Sequence, residues 1–347
     1  MNNTISSINW TPPGHWQVIE TIDMHTGGEP LRVITSGLPP IEGRTILDKR
    51  RFFHEKLDYI RTGLMWEPRG HADMYGAVIT EPITPDSDFG TFFLHNEGYS
   101  TMCGHAIIAL TKLVLETGMI EKEGDEPELV IDAPPGKIHS RAFRKNGRVY
   151  KVSFRNVPSF VYIENQQVKV DGMGPIPFDV AYGGAFYALC QAEDLGVPLD
   201  STAYNRLIHL GRAIKESVIK HFPIKHPFEQ DLSFLYGTII TGKPKNPTNH
   251  SRNVCIFAEG EVDRSPTGSG VSARAALHHE KGELGPGKEI IIESILDTTM
   301  GVKVIESTQY GPHKAVIPEV TGTAYFTGQQ TFYFDPEDPL KEGFIFR

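Results

Sequence analysis

Two short words share one construction: STMCGHAIIAL at 100–110 and RSPTGSGVSARAAL at 264–277. Each follows a Glu-Gly pair, Glu97-Gly98 in the first case and Glu259-Gly260 in the second. Each then runs through a short polar loop to a glycine-containing turn, and from there into a run of small and apolar residues with helical character. If the echo reflects duplication, the chain folds as two related lobes. Each lobe buries one such helix, and the two helix N-termini face each other. The alternative is coincidence between short glycine-rich words.

The first N–H groups of a helix have no partner within it, and the helix dipole adds partial positive charge there. Two such ends in opposition form a cage for one small carboxylate. Gly104 and His105 open the first helix, and Gly268 and Ser269 open the second. Glycine lets an anion approach the backbone without a Cβ in the way. Cys103 stands at the first of these ends, where the dipole favours the thiolate. A thiolate beside a bound carboxylate has the position of a base for that acid's α-proton; the other reading is a buried structural thiol. Asp263 suits an amine-binding carboxylate in a loop, or a turn Asp bonded to its own backbone. His105 is too near Cys103 in sequence to be taken as its catalytic partner, and Arg264 carries no assignment.

The remaining chemistry-bearing words lead nowhere specific. GTIITGKP (237–244) has the glycine and lysine spacing of a phosphate-binding loop, but Pro244 stands where the Mg²⁺-binding hydroxyl belongs. No H-E-x-x-H or C-x-x-C occurs, so no metal site is expected, and His278-His279-Glu280 reads as an exposed helix end. HTGGEP (25–30) and RGHADMYGA (69–77) are turns alone or the lining of a site. A net charge of -9 argues against nucleic acid and anionic membrane as partners. No apolar run is long enough to span a bilayer, and the first sixteen residues lack the pattern of a secretory signal. Three cysteines in 347 residues fit a reducing, cytoplasmic setting better than a disulfide framework. Cys190 and Cys255 sit in apolar words and read as core.

Along the chain, residues 1–15 read as a loose tail. Strands are expected at QVIETIDMHT, LRVITSG, MYGAVIT, TFFLHN, ELVIDA, YKVSFRNV, SFVYI, AYGGAFYALC, FLYGTIIT, NVCIFAE, EIIIESI, KAVIPEVTGTAYFTG and QTFYFD. Helices are expected over 46–63, from His105 to Gly118, over AYNRLIHLGRAIKESVIKHF, and over GVSARAALHHEKG.

MCGHA (102–106) and DRSPTGSG (263–270), with HTGGEP, RGHADMYGA and NEGYSTMCGHA, resemble the paired motifs of the proline racemase family. The resemblance runs from about residue 18 to the C-terminus. It implies an α+β fold of two pseudo-symmetric lobes of the diaminopimelate epimerase-like type. Each lobe is then a curved sheet around a central helix, with the active site between the lobes. Residues 1–170, completed by 335–347, would form the first lobe, and 171–334 the second. A homodimer without a cofactor is implied as well. Racemases of the family carry one cysteine in each motif. Here Cys103 matches the first and Thr267 replaces the second. That departure resembles the branch that removes water from trans-3-hydroxy-L-proline to give Δ1-pyrroline-2-carboxylate. The same matching makes Cys103 and Thr267 catalytic positions, and Gly104, His105, Asp263, Gly268 and Ser269 substrate-binding positions. A proline or hydroxyproline racemase or epimerase is the alternative activity, and a non-catalytic binder of small acids the alternative class.

Overall fold

The computed structural model describes residues 10–346. The expected N-terminal tail therefore lies partly outside the described residues. The first half runs β1 (Gln17–Thr26), β2 (Glu29–Ser36), α1 (Ile46–Met65), β3 (Tyr75–Thr80), β4 (Phe89–His95), β5 (Gly98–Ser100), α2 (Gly104–Glu116), β6 (Glu128–Ala133), β7 (Gly136–Lys145), β8 (Arg148–Arg155) and β9 (Ser159–Lys169). The second runs β10 (Pro175–Tyr182), β11 (Phe186–Gln191), the short α3 (Ala192–Leu195), α4 (Tyr204–His221), β12 (Leu235–Gly242), β13 (Ser251–Phe257), β14 (Glu261–Asp263), α5 (Gly268–Glu280), β15 (Glu289–Glu293), β16 (Thr299–Tyr310), β17 (His313–Gly322) and β18 (Ala324–Phe334).

Pairing repeats between the halves. β2 is parallel to β3, which is antiparallel to β4, which takes β5 antiparallel and β6 parallel. β11 is likewise parallel to β12, which is antiparallel to β13, which takes β14 antiparallel and β15 parallel. The meanders β6–β7–β8 and β15–β16–β17 correspond in the same way. The closing strands are exchanged: β9 lies against β10, and β18 lies against β1. β17 also pairs with β8 and β9, which ties the halves together.

The helices follow from their sequences. Thr45 and Asp48 form a reciprocal capping box at the start of α1. Phe53, Leu57, Ile60 and Leu64 then recur at helical spacing and are buried beside Val78 and Phe92. α2 is apolar nearly all round because strands surround it. Ile107, Ile108, Leu110, Leu113 and Val114 are all fully buried against β1, β7 and β8. Truncating one of them to Ala costs about 2–5 kcal/mol. α5 is buried through Leu277 but built of small residues, and its Arg274 is satisfied by Ser251 Oγ and Asn253 Oδ1. Among the described residues no helix is long and apolar enough to cross a membrane.

Three local expectations need correction. AYGGAFYALC is not one strand: the chain reverses at Gly183-Gly184, with Gly184 at φ +95°, and β10 and β11 pair as a hairpin. KAVIPEVTGTAYFTG breaks after Gly322, and its second part continues through QTFYF as β18. β7 and β16 were not expected as strands at all. Their polar alternation, as in GKIHSRAFRK, covers one buried face and one wet face.

Candidate active site

Cys103 is the N-cap of α2, extended at φ -140° and ψ 101°, and its Sγ accepts from Ala106 N at 3.4 Å. The imidazole Nδ1 of His105 lies 3.1 Å from the same sulfur. Proximity in sequence is therefore no bar to contact: the cap conformation of Cys103 turns its side chain back over the first helical turn. The ring of His105 also bonds to the carbonyl of Pro30, to which it must donate. That leaves one ring nitrogen to accept from the thiol, and Nδ1 lies nearer the sulfur than Nε2 does. Burial holds the His105 pKa down at about 3, so the ring is neutral. The Thr26 hydroxyl, at the end of β1, fixes this turn by donating to the His105 carbonyl at 2.9 Å.

The expected low pKa of Cys103 is not found. Burial pushes the thiol well up, and the bond from Ala106 pulls it down by less. The Asp263 charge pushes it up further. Desolvation outweighs the helix end because a buried thiolate loses far more hydration than one N–H returns.

The second helix end faces the first. Thr267 is the N-cap of α5, at φ +70° and ψ 92°, a left-handed conformation rare for a β-branched residue. Its side chain makes no capping bond, and its hydroxyl is buried without a hydrogen-bond partner among the described residues. It still lies close enough to Asp263 and Cys255 to favour their ionised forms. Ile107 N and Val271 N are the first to bond back within their helices, to Cys103 O and Thr267 O. The N–H groups of Gly104, His105, Gly268 and Ser269 precede them. Ser269 Oγ is held by the Tyr187 hydroxyl at 2.7 Å.

Asp263 ends β14 rather than sitting in a loop, in register with Cys255. Its Oδ1 accepts from Ser265 N at 2.7 Å, and burial raises its pKa to about 6. All seven residues singled out in the sequence line one small cavity of about 20 Å³. That is space for a water, not for a five-membered ring, so a ligand of that size has to part the walls. A larger groove of about 810 Å³ lies near Thr26 and Gly27, but it is open and contains none of these residues.

The cavity has further walls that the sequence did not single out. Glu29 comes from HTGGEP and Tyr75 from RGHADMYGA, the two words left open between turn and site. Tyr187, Tyr236 and Cys255 come from apolar strands. Cys255 is core, as read, yet it also faces the cavity. Arg264 pairs with Asp73, which also accepts from the Tyr204 hydroxyl at 2.9 Å.

A sheet network with a repeated pairing plan, and a small cavity where two helix ends meet over a thiol, define an epimerase-type fold. Residues 21–345 match the family described as proline racemase. A trans-3-hydroxy-L-proline dehydratase of Colwellia psychrerythraea is 53% identical over 329 residues, 95% of this chain and 93% of that one. A 3-hydroxyproline 2-epimerase of Burkholderia multivorans is 42% identical over 329 residues, 95% of this chain and 98% of that one. The crystal structure of a hydroxyproline epimerase from Agrobacterium vitis, with bound trans-4-hydroxy-L-proline, superposes with a TM-score of 0.89 at 28% identity. The match covers 95% of this chain and 96% of that one. The chain belongs to the proline racemase family.

Proposed function

We propose that the protein is a trans-3-hydroxy-L-proline dehydratase, a cofactor-independent hydro-lyase that forms Δ1-pyrroline-2-carboxylate. One observation carries this reading: the cavity has a thiol at one helix end, Cys103, and a hydroxyl at the other, Thr267. Inversion at an α-carbon needs an ionisable acid–base group on each face. A threonine hydroxyl does not ionise usefully near neutral pH. Elimination needs a base on one face only.

The substrate carboxylate is held by the N–H groups of Gly104, His105, Gly268 and Ser269. The ring ammonium faces Asp263. That positive charge enters a cavity otherwise rich in carboxyls, and it offsets the Asp263 charge that helps to hold the Cys103 thiol protonated. The neutral His105 keeps Nδ1 3.1 Å from the sulfur as a hydrogen-bond acceptor, and the thiol proton passes to solvent as the substrate enters. In the trans isomer the 3-hydroxyl and the α-hydrogen both lie opposite the carboxylate, and so share a face. Cys103 takes the α-proton, the C2–C3 double bond forms, and the C3–O bond breaks as the hydroxyl takes up a proton and leaves as water. The enamine then tautomerises to the cyclic imine. The two matching halves form two lobes with the site between them, and the working form is a cytoplasmic homodimer.

The test is incubation with trans-3-hydroxy-L-proline and assay for the cyclic imine. Wild type should form it, and Cys103→Ser should lose about 10²–10⁴-fold in rate with its melting transition intact, since serine lacks the thiolate's basicity. Near-wild-type turnover by Cys103→Ser would remove the base from the scheme.

A further inference from the structure

We propose that Glu29 is the acid that delivers the proton to the departing 3-hydroxyl. The inference rests on the dehydratase reading and names the proton donor which that reading leaves open.

Glu29 opens β2 and is fully buried. One carboxyl oxygen, Oε2, accepts from Arg264 N at 2.7 Å. The other, Oε1, is buried with no hydrogen-bond partner among the described residues. The residue lines the same small cavity as Cys103, Asp263 and Thr267. A ligand that parts these walls enters between Glu29 and the residues that share the cavity with it. An orphaned carboxyl oxygen there costs several kcal/mol if charged, and much less if it carries a proton offered to a ligand.

The surroundings hold that proton in place. Burial pushes the Glu29 pKa well above the ordinary carboxylate range, and the neighbouring Asp263 charge pushes the same way, with a smaller contribution from Asp73. The Arg264 charge and its backbone N–H pull the other way by less, and that guanidinium is also engaged by Asp73 and by the Val262 carbonyl. Two carboxyls in one cavity thus divide the work. Asp263, raised only to about 6, is ionised at neutral pH and suits the ammonium. Glu29 retains its proton. The substrate has two oxygen-bearing groups, and its carboxylate goes to the helix ends. The 3-hydroxyl is the acceptor that remains.

His105 is a poor rival. Its neutral ring presents an acceptor toward Cys103 and donates to Pro30. In the balanced step Cys103 accepts the α-proton, the C–H electrons form the C2–C3 double bond, and the C3–O electrons leave with the oxygen. The Glu29 proton completes water. Glu29 ends as a carboxylate, and it is reprotonated from solvent when the cavity opens.

The experiment compares two leaving groups. Fluoride is the anion of a far stronger acid than water, and it departs without a proton. Glu29→Gln and Glu29→Asp are assayed with trans-3-hydroxy-L-proline and with trans-3-fluoro-L-proline. The expected result for Glu29→Gln is loss of water elimination by about a hundredfold or more, with fluoride release within severalfold of wild type. Glu29→Asp keeps an acid but withdraws it by one methylene, so it should slow the hydroxy substrate more than the fluoro substrate. It carries the test if Glu29→Gln shows no cooperative melt. Equal loss with both substrates would mark Glu29 as a structural or ammonium-binding residue and overturn the proposal. Equal retention with both would overturn it too. If wild type forms no imine from the hydroxy substrate, the dehydratase reading itself fails, and Glu29 has no hydroxyl to serve.

Discussion

Gly104 and Gly268 meet backbone to backbone: a Cβ on either would stand 2.6 Å from the Cα of the other. The atom met is main chain in each case, so no side chain can swing aside to relieve the clash. The two helix ends therefore approach as closely as they do because both positions lack a side chain.

Gly104→Ala or Gly268→Ala should drive the helix ends apart. Overpacking of this kind costs about 1–3 kcal/mol of stability. Displacement of a catalytic group by about 1 Å costs roughly a hundredfold in rate. Denaturant midpoints and kcat/KM measured on each variant read both effects. Wild-type values in both assays would show that the contact is not needed.

Thr267→Cys puts an ionisable group opposite Cys103 at the second helix end. The variant should gain measurable inversion at the α-carbon of proline-type substrates, while keeping some elimination through Cys103. Chiral analysis after incubation in deuterium oxide reads inversion and exchange together. Inversion by the unaltered protein at a similar rate would mean that Thr267 is not what sets the outcome.

Asp263 links activity and stability to pH with opposite signs. Its folded pKa, about 6, is higher than the unfolded value of about 4. The native state then holds this proton more tightly than the unfolded state does. The stability it contributes is complete below about pH 4, and is lost as pH rises to about 6, by about 3 kcal/mol. Activity should rise across the same window as the ammonium-binding carboxylate forms. Unfolding free energies measured from pH 4 to 7 on wild type and Asp263→Asn should converge toward acid and separate toward neutral, with the variant the more stable at neutral pH. Parallel curves would show that Asp263 does not titrate as described.

Pyrrole-2-carboxylate has a planar α-carbon and one carboxylate, and it should bind across both helix ends. At a hundredfold excess over its Kd such a ligand stabilises the fold by about 2.7 kcal/mol. It should also compete with substrate. Thermal shift and steady-state inhibition test this, and a non-competitive pattern would place the inhibitor elsewhere.

Much of the site was legible because its residues sit in short words with unusual glycine, and because helix N-termini bind anions by general physics. Cys103 and Asp263 were found in that way, and Thr267 through the resemblance of its word to the family's second motif. Tyr187, Tyr236 and Cys255 were hidden in strands whose apolar character is the same for a core wall and a cavity wall. The direction of the Cys103 pKa was misjudged because sequence displays the helix end but not the depth of burial. Secondary structure was legible where one period ruled, as in α1, read to Gly63 and observed to Met65. It failed where a glycine pair reversed the chain between β10 and β11. The pairing of β1 with β18 joins residues near opposite ends of the chain, which no local pattern reveals.

That pairing also sets an order of events at synthesis. β1 leaves the ribosome early and finds β2 at once, but its other edge stays open until β18, the last strand, has followed. A long-range partner of this kind favours slow folding and leaves a strand edge exposed in the meantime. Thr26, which holds the turn at His105, sits at the end of β1 in register with Ala324. A nascent chain stopped short of that residue would have every side chain of the candidate site translated, and nothing on the far side of β1 to hold the first of them in place.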